Sequence, residues 1–487
     1  MSEQFDLVVI GGGTAGLSAA QAAVAQRSSV LLVSLGPLGG ECTWNGCVPS
    51  KALIEAARAA DTARNAARFG IRATEVSVDF PAVMARVRTV VEAIAGYEDE
   101  AHLEKSGVIV RRGQAHLVDA HTVAIDGQNV SAGAVVICTG SRPAVPPIPG
   151  LAEVPYLTNE TVFDLREQPQ RLLVIGAGPI GLELAQAFTR LGTAVQVLDA
   201  VDELLPREDP DIAAAARTML ETDGVEFMLG VAIAHAEHGS DGFRLRVRRG
   251  EIDHDLRGDA LLVATGRRPN IDTIGLDGVG IKVTKKGITV NEHLRTNISG
   301  VYAAGDVTGI LPFTHVAAYQ GRLAAGNALG KKRSASYRVV PWITFTDPEI
   351  AHLGMTEPEA RKEHGDSVRV ATLPFTAIDR AVIAGQPRGL IKLITSGKPI
   401  IGHAGGGTIL GAHILGMGAG ELIHEFVIGM QVHAFAGRLA QAIHAYPALS
   451  VGVQQAVAQL FADGRATAGE NREELVSLED SVQTPND

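Results

Sequence analysis

The sequence predicts an α/β protein of about three domains, and three observations carry that expectation. An apolar strand that runs into a glycine turn, a helix and a second strand occurs twice. Each copy is followed, further along, by another apolar strand that also ends in glycine. Past Pro341 the glycine turns stop, and shorter strand-like runs give way to helical stretches. Composition agrees: of 487 residues, 46% are hydrophobic and 20% charged, the profile of a folded chain with several cores. The 55 glycines suit many tight strand-to-helix turns, while 4% aromatics argue against a base-stacking platform. The charge sum is 43 − 54 = −11 with no long basic run, which disfavours nucleic acid and anionic membrane as partners. No stretch of 18 uncharged apolar residues occurs, so no transmembrane helix is expected. Met1–Asp6 has no signal-peptide pattern and there are only three cysteines, so a cytoplasmic location is expected.

The elements follow in order. Phe5–Ile10 reads as a buried strand that ends in Gly11-Gly12-Gly13-Thr14-Ala15-Gly16. An alanine-rich helix pattern runs to about Gln26, and a second strand covers Ser29–Val33. Arg171–Ile175 repeats the plan, with Gly176-Ala177-Gly178-Pro179-Ile180-Gly181, a helix over Leu182–Leu191 and a strand over Ala194–Leu198. Both copies follow a strand and open a helix, the context a Rossmann-type dinucleotide-binding unit requires. The first glycine allows the tight turn; the second lets backbone approach a pyrophosphate seated on the positive helix end. The downstream strands are Val135–Cys138, which runs into Thr139-Gly140, and Leu261–Ala264, which runs into Thr265-Gly266 and then Arg267–Asn270. A later strand, Gly300–Ala304, ends in Gly305-Asp306. The C-terminal part shows strand-like runs at Val368–Leu373 and Gly389–Ile394 and helical stretches at Gly420–Val432 and Val451–Phe461. From Gly469 the chain is polar and acidic and reads as a solvated tail.

The most informative segment is Gly39-Gly40-Glu41-Cys42-Thr43-Trp44-Asn45-Gly46-Cys47-Val48-Pro49-Ser50-Lys51. A long helix pattern follows to about Phe69, and Pro49 fits its first turn. Cys47 then sits near the positive end of that helix, which stabilises a thiolate. Lys51 lies four residues on and shares its face. A cysteine pair can also be a metal half-site or two core residues. Only Cys138 remains to complete a zinc site, and beside a GxGxxG unit redox chemistry is the better reading. Trp44, between the cysteines, either shapes a substrate pocket or packs against the turn.

These motifs resemble the flavoprotein disulfide reductase family, which includes dihydrolipoamide dehydrogenase, glutathione reductase and mercuric reductase. The resemblance rests on GGxCxxxxCxPSK after an N-terminal GxGxxG and covers nearly the whole chain. It extends to Glu183 after the second GxGxxG, Ala264–Asn270, Ala304–Asp306 and Phe345-Thr346-Asp347-Pro348. It implies an FAD-binding domain from 1–150 and 271–340, an NAD(P)-binding domain from 151–270, and an α+β dimerisation domain from 341–468. Gly11, Gly13 and Gly16 would hold the FAD pyrophosphate, with Ser34, Gly40, Thr139, Gly140 and Gly305 nearby. Asp306 would bond the FAD chain, and the helix starting near Thr314-His315 would aim at the flavin. Gly176, Gly178, Gly181, Asp199 and Gly266 would bind the nicotinamide dinucleotide. Cys47 would touch the flavin, Cys42 would exchange with substrate, and Lys51 would pair with Glu183. The implied reaction carries electrons from NAD(P)H through FAD and a Cys42–Cys47 disulfide to a small-molecule acceptor, in a homodimer whose sites use both chains.

Asp199 ends the second unit's closing strand. A carboxylate there accepts from a ribose 2′-hydroxyl and repels a 2′-phosphate, so NAD(H) is favoured over NADP(H), with Arg207 as the cation that could reverse this. The first unit closes on Ser34, where the family usually has Glu. Near the C-terminus the dihydrolipoamide and glutathione subgroups carry a His before Pro and a Glu four residues after it. Here Tyr446 and Val451 stand there, and tyrosine is a poor base at neutral pH. His444 would share a face with Tyr446 in an extended stretch but lacks an orienting carboxylate in this reading. That departure keeps open a second acceptor class, a metal ion (mercuric or cupric) or a quinone. Mercuric reductases use a C-terminal cysteine pair, yet nothing after Cys138 is a cysteine. His403, His413, His424, His433 and His444 read as scattered surface or interface positions, and no metal site is expected. Cys138 reads as a small core residue.

Overall fold

The protein, in a computed structural model, is described over residues 3–397 and 402–461. The expected tail from 469 to 487 and the last residues of the expected C-terminal domain lie outside the described residues. The first unit is β1 (Gln4–Ile10), α1 (Thr14–Val24) and β2 (Val30–Ser34). The helix α2 (Cys47–Arg64) follows, shorter than its sequence pattern because the chain tightens into a 3-10 turn at Ala66–Phe69. β3 (Gln128–Ile137) then lies parallel to β1, so Val8 has Leu31 on one side and Val135 on the other. Parallel strands covered on both faces need apolar residues throughout, which is why Leu7–Ile10 of β1 and Val30–Val33 of β2 read as unbroken runs.

The second unit repeats this with β4 (Arg171–Ile175), α3 (Pro179–Leu191) and β5 (Ala194–Leu198) in a four-stranded sheet. A three-stranded antiparallel meander spans 232–258. A short ribbon, Ser141–Pro143 against Arg267–Pro269, ties the connections of the two units together. The chain then returns to the first sheet, where β6 (Val301–Ala303) pairs with β3. α4 (Thr314–Ala328) lies along α1 so closely that a Cβ on Gly321 would stand 2.1 Å from the Ala15 carbonyl oxygen. Small residues on both helices are what allow that approach.

A five-stranded antiparallel sheet closes the chain. It contains β7 (Glu349–Gly354) and β8 (Thr408–Gly416) as neighbours. The helices α5 (Ala419–Gln431) and α6 (Val451–Ala458) bury Leu422, Phe426 and Val453 with Ile391, Leu393 and Ile414. The central strand β8 was absent from the sequence reading, where Gly411 and Gly416 broke its apolar pattern. Here those glycines let Met355 and Phe375 pack against the strand, with an added Cβ meeting them at 2.0 Å.

The two glycine turns are built alike. Gly11 has φ +116° and a Cβ there would meet the Cys138 carbonyl oxygen at 2.2 Å. Gly176 has φ +115° and would meet the Ala264 carbonyl oxygen at 2.4 Å. Cys138 is thus the counterpart of Ala264, a small buried residue at a strand end.

Candidate active site

The short helical turn Gly40–Trp44 presents Cys42, and α2 opens on Cys47 itself. Gly46 precedes that helix and no side chain caps it, so the partial positive charge of the free N–H groups falls on the thiol. Trp44 packs against the turn by donating its Nε1–H to the Leu38 carbonyl at 2.7 Å. Both cysteines are free thiols, Cys42 half-buried and Cys47 exposed. The neighbouring Cys42 thiol pulls the Cys47 thiol down to about 6, with the Lys51 charge and the Thr314 hydroxyl adding to it. The neighbouring Cys47 sulfur, partial burial and the Cys47 charge push the Cys42 thiol up. The two shifts run in opposite directions, favouring the thiolate on Cys47 and the thiol on Cys42.

Three distant segments meet behind it. Lys51 donates to Glu183 Oε2 of α3 at 2.8 Å. The other Glu183 oxygen accepts from the Phe345 N–H at 2.8 Å, and the Lys51 ammonium lies 4.3 Å from the Phe345 ring centre. Asp347, in the same block, accepts from Arg190 of α3 at 2.5 Å. The block thus holds α3 in place, and through it Glu183. Thr314, the first residue of α4, sets its Oγ1 3.5 Å from Cys47 Sγ, so a second helix N-terminus points at the thiolate.

The glycine positions fit dinucleotides. α1 and α3 begin at Gly13 and Gly178 with no side-chain cap, leaving their first N–H groups free for an anion. A Cβ on Gly178 would meet nothing within 4 Å, and one on Gly13 would find only Gly40 Cα, at 3.8 Å. Gly16 and Gly181 are different, because a Cβ there would strike the first glycine's carbonyl at 1.8 and 2.1 Å, which fixes helix against turn. Ser34 is buried and donates to the Gly36 carbonyl at 2.8 Å. Asp199 caps its own glycine turn, accepting from Ala177 N–H at 2.7 Å and Val201 N–H at 3.1 Å. Gly140 and Gly266 have positive φ and open space where a Cβ would be. Thr139 and Asn270 exchange two bonds, at 2.7 and 2.9 Å. The Gly305 N–H donates to Gln320 at 2.7 Å. His315 stacks on Phe313, and burial lowers its pKa; Thr314, not His315, is the residue that faces Cys47.

A polar network went unread in the sequence. Asp306 accepts from Ser141 at 2.5 Å, and Arg267 lies 3.7 Å from it while pairing with Glu41. Asn159 donates to the Glu41 carboxylate and to the Asn45 carbonyl. Glu41 stands beside Cys42 in the quoted motif, and Arg267 follows Gly266. The only signal was a charge of each sign inside two glycine-rich motifs.

Two expectations are corrected. His444 does have a carboxylate partner. Its Nε2 lies 2.9 Å from Glu425 Oε2, and its Nδ1 lies 3.0 Å from the Ala442 carbonyl. Burial works against protonation, but these two partners outweigh it and raise its pKa. The carboxylate comes from α5, 19 residues upstream, so no spacing within the Tyr446 segment could reveal it. Tyr446 instead donates to Asp379 at 3.0 Å, and Val451 opens α6. The second correction concerns His413. It is fully buried on β8 beside His352 of β7, not on the surface, whereas His424 and His433 are exposed and His403 half-buried.

Comparison with known proteins adds to this geometry. The pyridine nucleotide-disulphide oxidoreductase family description matches residues 5–321, and its dimerisation domain matches residues 340–457. A mercuric reductase from Staphylococcus aureus is 36% identical over 88% of this chain and 77% of its own length. A dihydrolipoyl dehydrogenase from Chlamydia muridarum is 35% identical over 92% of this chain and 95% of its own. Among solved structures, LpdA from Mycobacterium tuberculosis superposes with a TM-score of 0.84 at 29% identity, covering 94% of this chain and all of that one. The Cu(II) complex of RclA, an HOCl-induced flavoprotein disulfide reductase from Escherichia coli, superposes with a TM-score of 0.81 at 29% identity, covering 92% of this chain and 98% of that one. No described helix is long and apolar enough to cross a membrane.

Proposed function

The chain belongs to the pyridine nucleotide-disulphide oxidoreductase family, and from that premise we propose that it reduces a small disulfide with electrons from NADH. The class is an NAD(P)H-dependent flavoprotein disulfide oxidoreductase. The observation that carries the reading is the Cys42 and Cys47 thiol pair, with Cys47 beside the Lys51–Glu183 pair and two helix N-termini. Bound FAD supplies the two-electron step between nicotinamide and the Cys42–Cys47 disulfide. At neutral pH Cys47 then keeps a negative charge and Cys42 keeps the proton. Cys42 must lose that proton to attack an S–S bond, because the thiolate is the nucleophile. His444, oriented by Glu425, takes it. The Cys42–substrate bond forms, the substrate S–S bond breaks, and the leaving sulfur receives the proton from His444. Cys47 then attacks Cys42, the second thiol leaves with a proton from water, and the internal disulfide is restored. One disulfide becomes two thiols at the cost of two electrons and two protons.

In a homodimer the His444–Glu425 pair of one chain serves the Cys42 of the other. The apolar surface around it supports that arrangement, since Ile443 is fully exposed and Ile428, Val432 and Tyr446 are largely so. The preference for NADH is supported by Asp199 at the end of β5. Arg207 does not offset it, because its guanidinium stacks over Trp342 and Phe313, 5.0 and 5.9 Å from their ring centres. One observation favours a second reading, a metal-ion acceptor. Tyr446 stands where the disulfide-reducing subgroups carry a base, and mercuric reductases are among the relatives.

The deciding test is NADH consumption against lipoamide, glutathione disulfide, a quinone, and mercuric and cupric ions. Fast disulfide turnover that is lost in Cys42→Ser and reduced at least about tenfold in His444→Ala is the expected result. Turnover of metal ions or quinone alone, indifferent to His444→Ala, would replace the first reading with the second.

A further inference from the structure

Glu208, His352 and His413 do not belong to the redox site, yet they form a second chemically organised centre. Glu208 sits in the loop after β5, just before the helix that starts at Pro210. His352 and His413 face each other across the β7–β8 pairing, their rings edge to face at 4.4 Å. All three are buried, at 7%, 2% and 0% exposure. One ligand atom from each lies within 4.8 Å of the other two, the one such group among the described residues.

The hydrogen bonds decide which atoms remain for a ligand. A carbonyl only accepts, so His352 Nε2 donates to the Gly354 carbonyl at 2.9 Å, and His413 Nε2 donates to the Met355 carbonyl at 2.9 Å. In the neutral rings both Nδ1 atoms are therefore bare lone pairs. His352 Nδ1 lies 3.0 Å from Glu208 Oε2, lone pair against carboxylate. His413 Nδ1 is buried with no partner at all. The other Glu208 oxygen accepts from Trp342 Nε1–H at 2.7 Å, and the Trp342 ring covers His352 at 3.6 Å. A proton between His352 and Glu208 would settle that one contact and leave His413 Nδ1 orphaned. A single cation satisfies all three.

We propose that Glu208, His352 and His413 bind one divalent cation of the zinc class, which clamps the second dinucleotide unit to the C-terminal sheet. Two imidazoles and a carboxylate suit that class, and every ligand has its outer hydrogen bond in place, the feature that orients metal-binding rings. Tetrahedral zinc sets neighbouring ligand atoms about 3.3 Å apart, so the widest pair closes by roughly 1.5 Å or less while His352 and Glu208 are already at that spacing.

The test uses the FAD-loaded protein carrying Cys42→Ser and Cys47→Ser, so that the thiols cannot take the metal. It is dialysed against buffered Zn2+, its metal content is measured, and crystals are examined for zinc anomalous scattering. Uptake of one zinc per chain and an anomalous peak bonded to both Nδ1 atoms and to Glu208 are expected. Trp342→Phe, which keeps all three ligands, should weaken uptake about 10- to 100-fold, and His413→Ala should abolish it. No stoichiometric uptake, a peak elsewhere, or uptake unchanged by His413→Ala overturns the proposal. The anomalous peak needs no ligand substitution, so a His413→Ala chain that fails to fold leaves it decisive.

Discussion

The two glycine units are the same backbone device put to different uses. In both, the first glycine meets a carbonyl from a neighbouring strand, the third packs on the first, and the second faces open space at an uncapped helix end. They differ in what surrounds that device. The first leads into the thiol helix and closes on Ser34, whose hydroxyl turns inward to Gly36. The second closes on Asp199, which braces the Ala177 and Val201 N–H groups, and it carries the Glu183 that completes the thiol site. The second unit also grips the C-terminal sheet with buried charge. Lys392 meets Asp209 at 2.8 Å, with Asp211 and Glu357 at 2.6 and 2.7 Å. The turn is common to both units; the charged residues set around it are what differ.

The comparison breaks most severely at that grip. Lys392→Met leaves Asp209, which has no exposure, without its cation and should cost about 3–5 kcal/mol in urea unfolding. The next largest effect distinguishes the glycines within a turn. Gly11→Ala and Gly176→Ala force a side chain into a carbonyl at positive φ and should each cost roughly 2–4 kcal/mol. Gly178→Ala should leave the thermal midpoint unchanged while weakening nucleotide binding, measured by titration calorimetry. A Gly178→Ala chain as unstable as Gly176→Ala would mean the open space is structural.

Smaller effects sharpen the contrast. Asp199→Ala should erode the proposed preference for NADH over NADPH by about tenfold in kcat/KM, through loss of the repelling charge. Equal discrimination before and after would place selectivity elsewhere. The Cys47 pKa lies below its unfolded value, so its thiolate is present above about 6 and is lost as pH falls through 6. Iodoacetamide labelling should rise with pH through that point. Lys51→Met should move the midpoint up by about one unit, and Glu183→Gln should move it down, since the Glu183 charge opposes the thiolate. Shifts of the same sign in both variants would show that the pair acts by position rather than by charge.

Much of this was local and therefore readable. The glycine spacing, the cysteine spacing and the apolar runs of β1, β2 and β4 are properties of adjacent residues, and each formed where its pattern lay. Strand β8 was missed because its glycines exist to admit neighbours from other segments. Lys51–Glu183, 132 residues apart, was expected only through the family resemblance, and Arg267–Glu41, 226 apart, was not expected. The His444 segment was misread for the same reason, since its carboxylate arrives on a different helix.

By itself the sequence determined the two dinucleotide-type turns and the thiol helix, because φ at a glycine, helix polarity and strand burial are set over a few residues. Only the tertiary structure decided which charges meet. It placed Glu183 behind Lys51, Thr314 beside Cys47, Glu425 on His444, and Glu208 between two buried histidines. Hydrogen bonds and ion pairs act over about 3 Å, and that proximity is set by how the sheets and helices pack, which no short stretch of chain encodes.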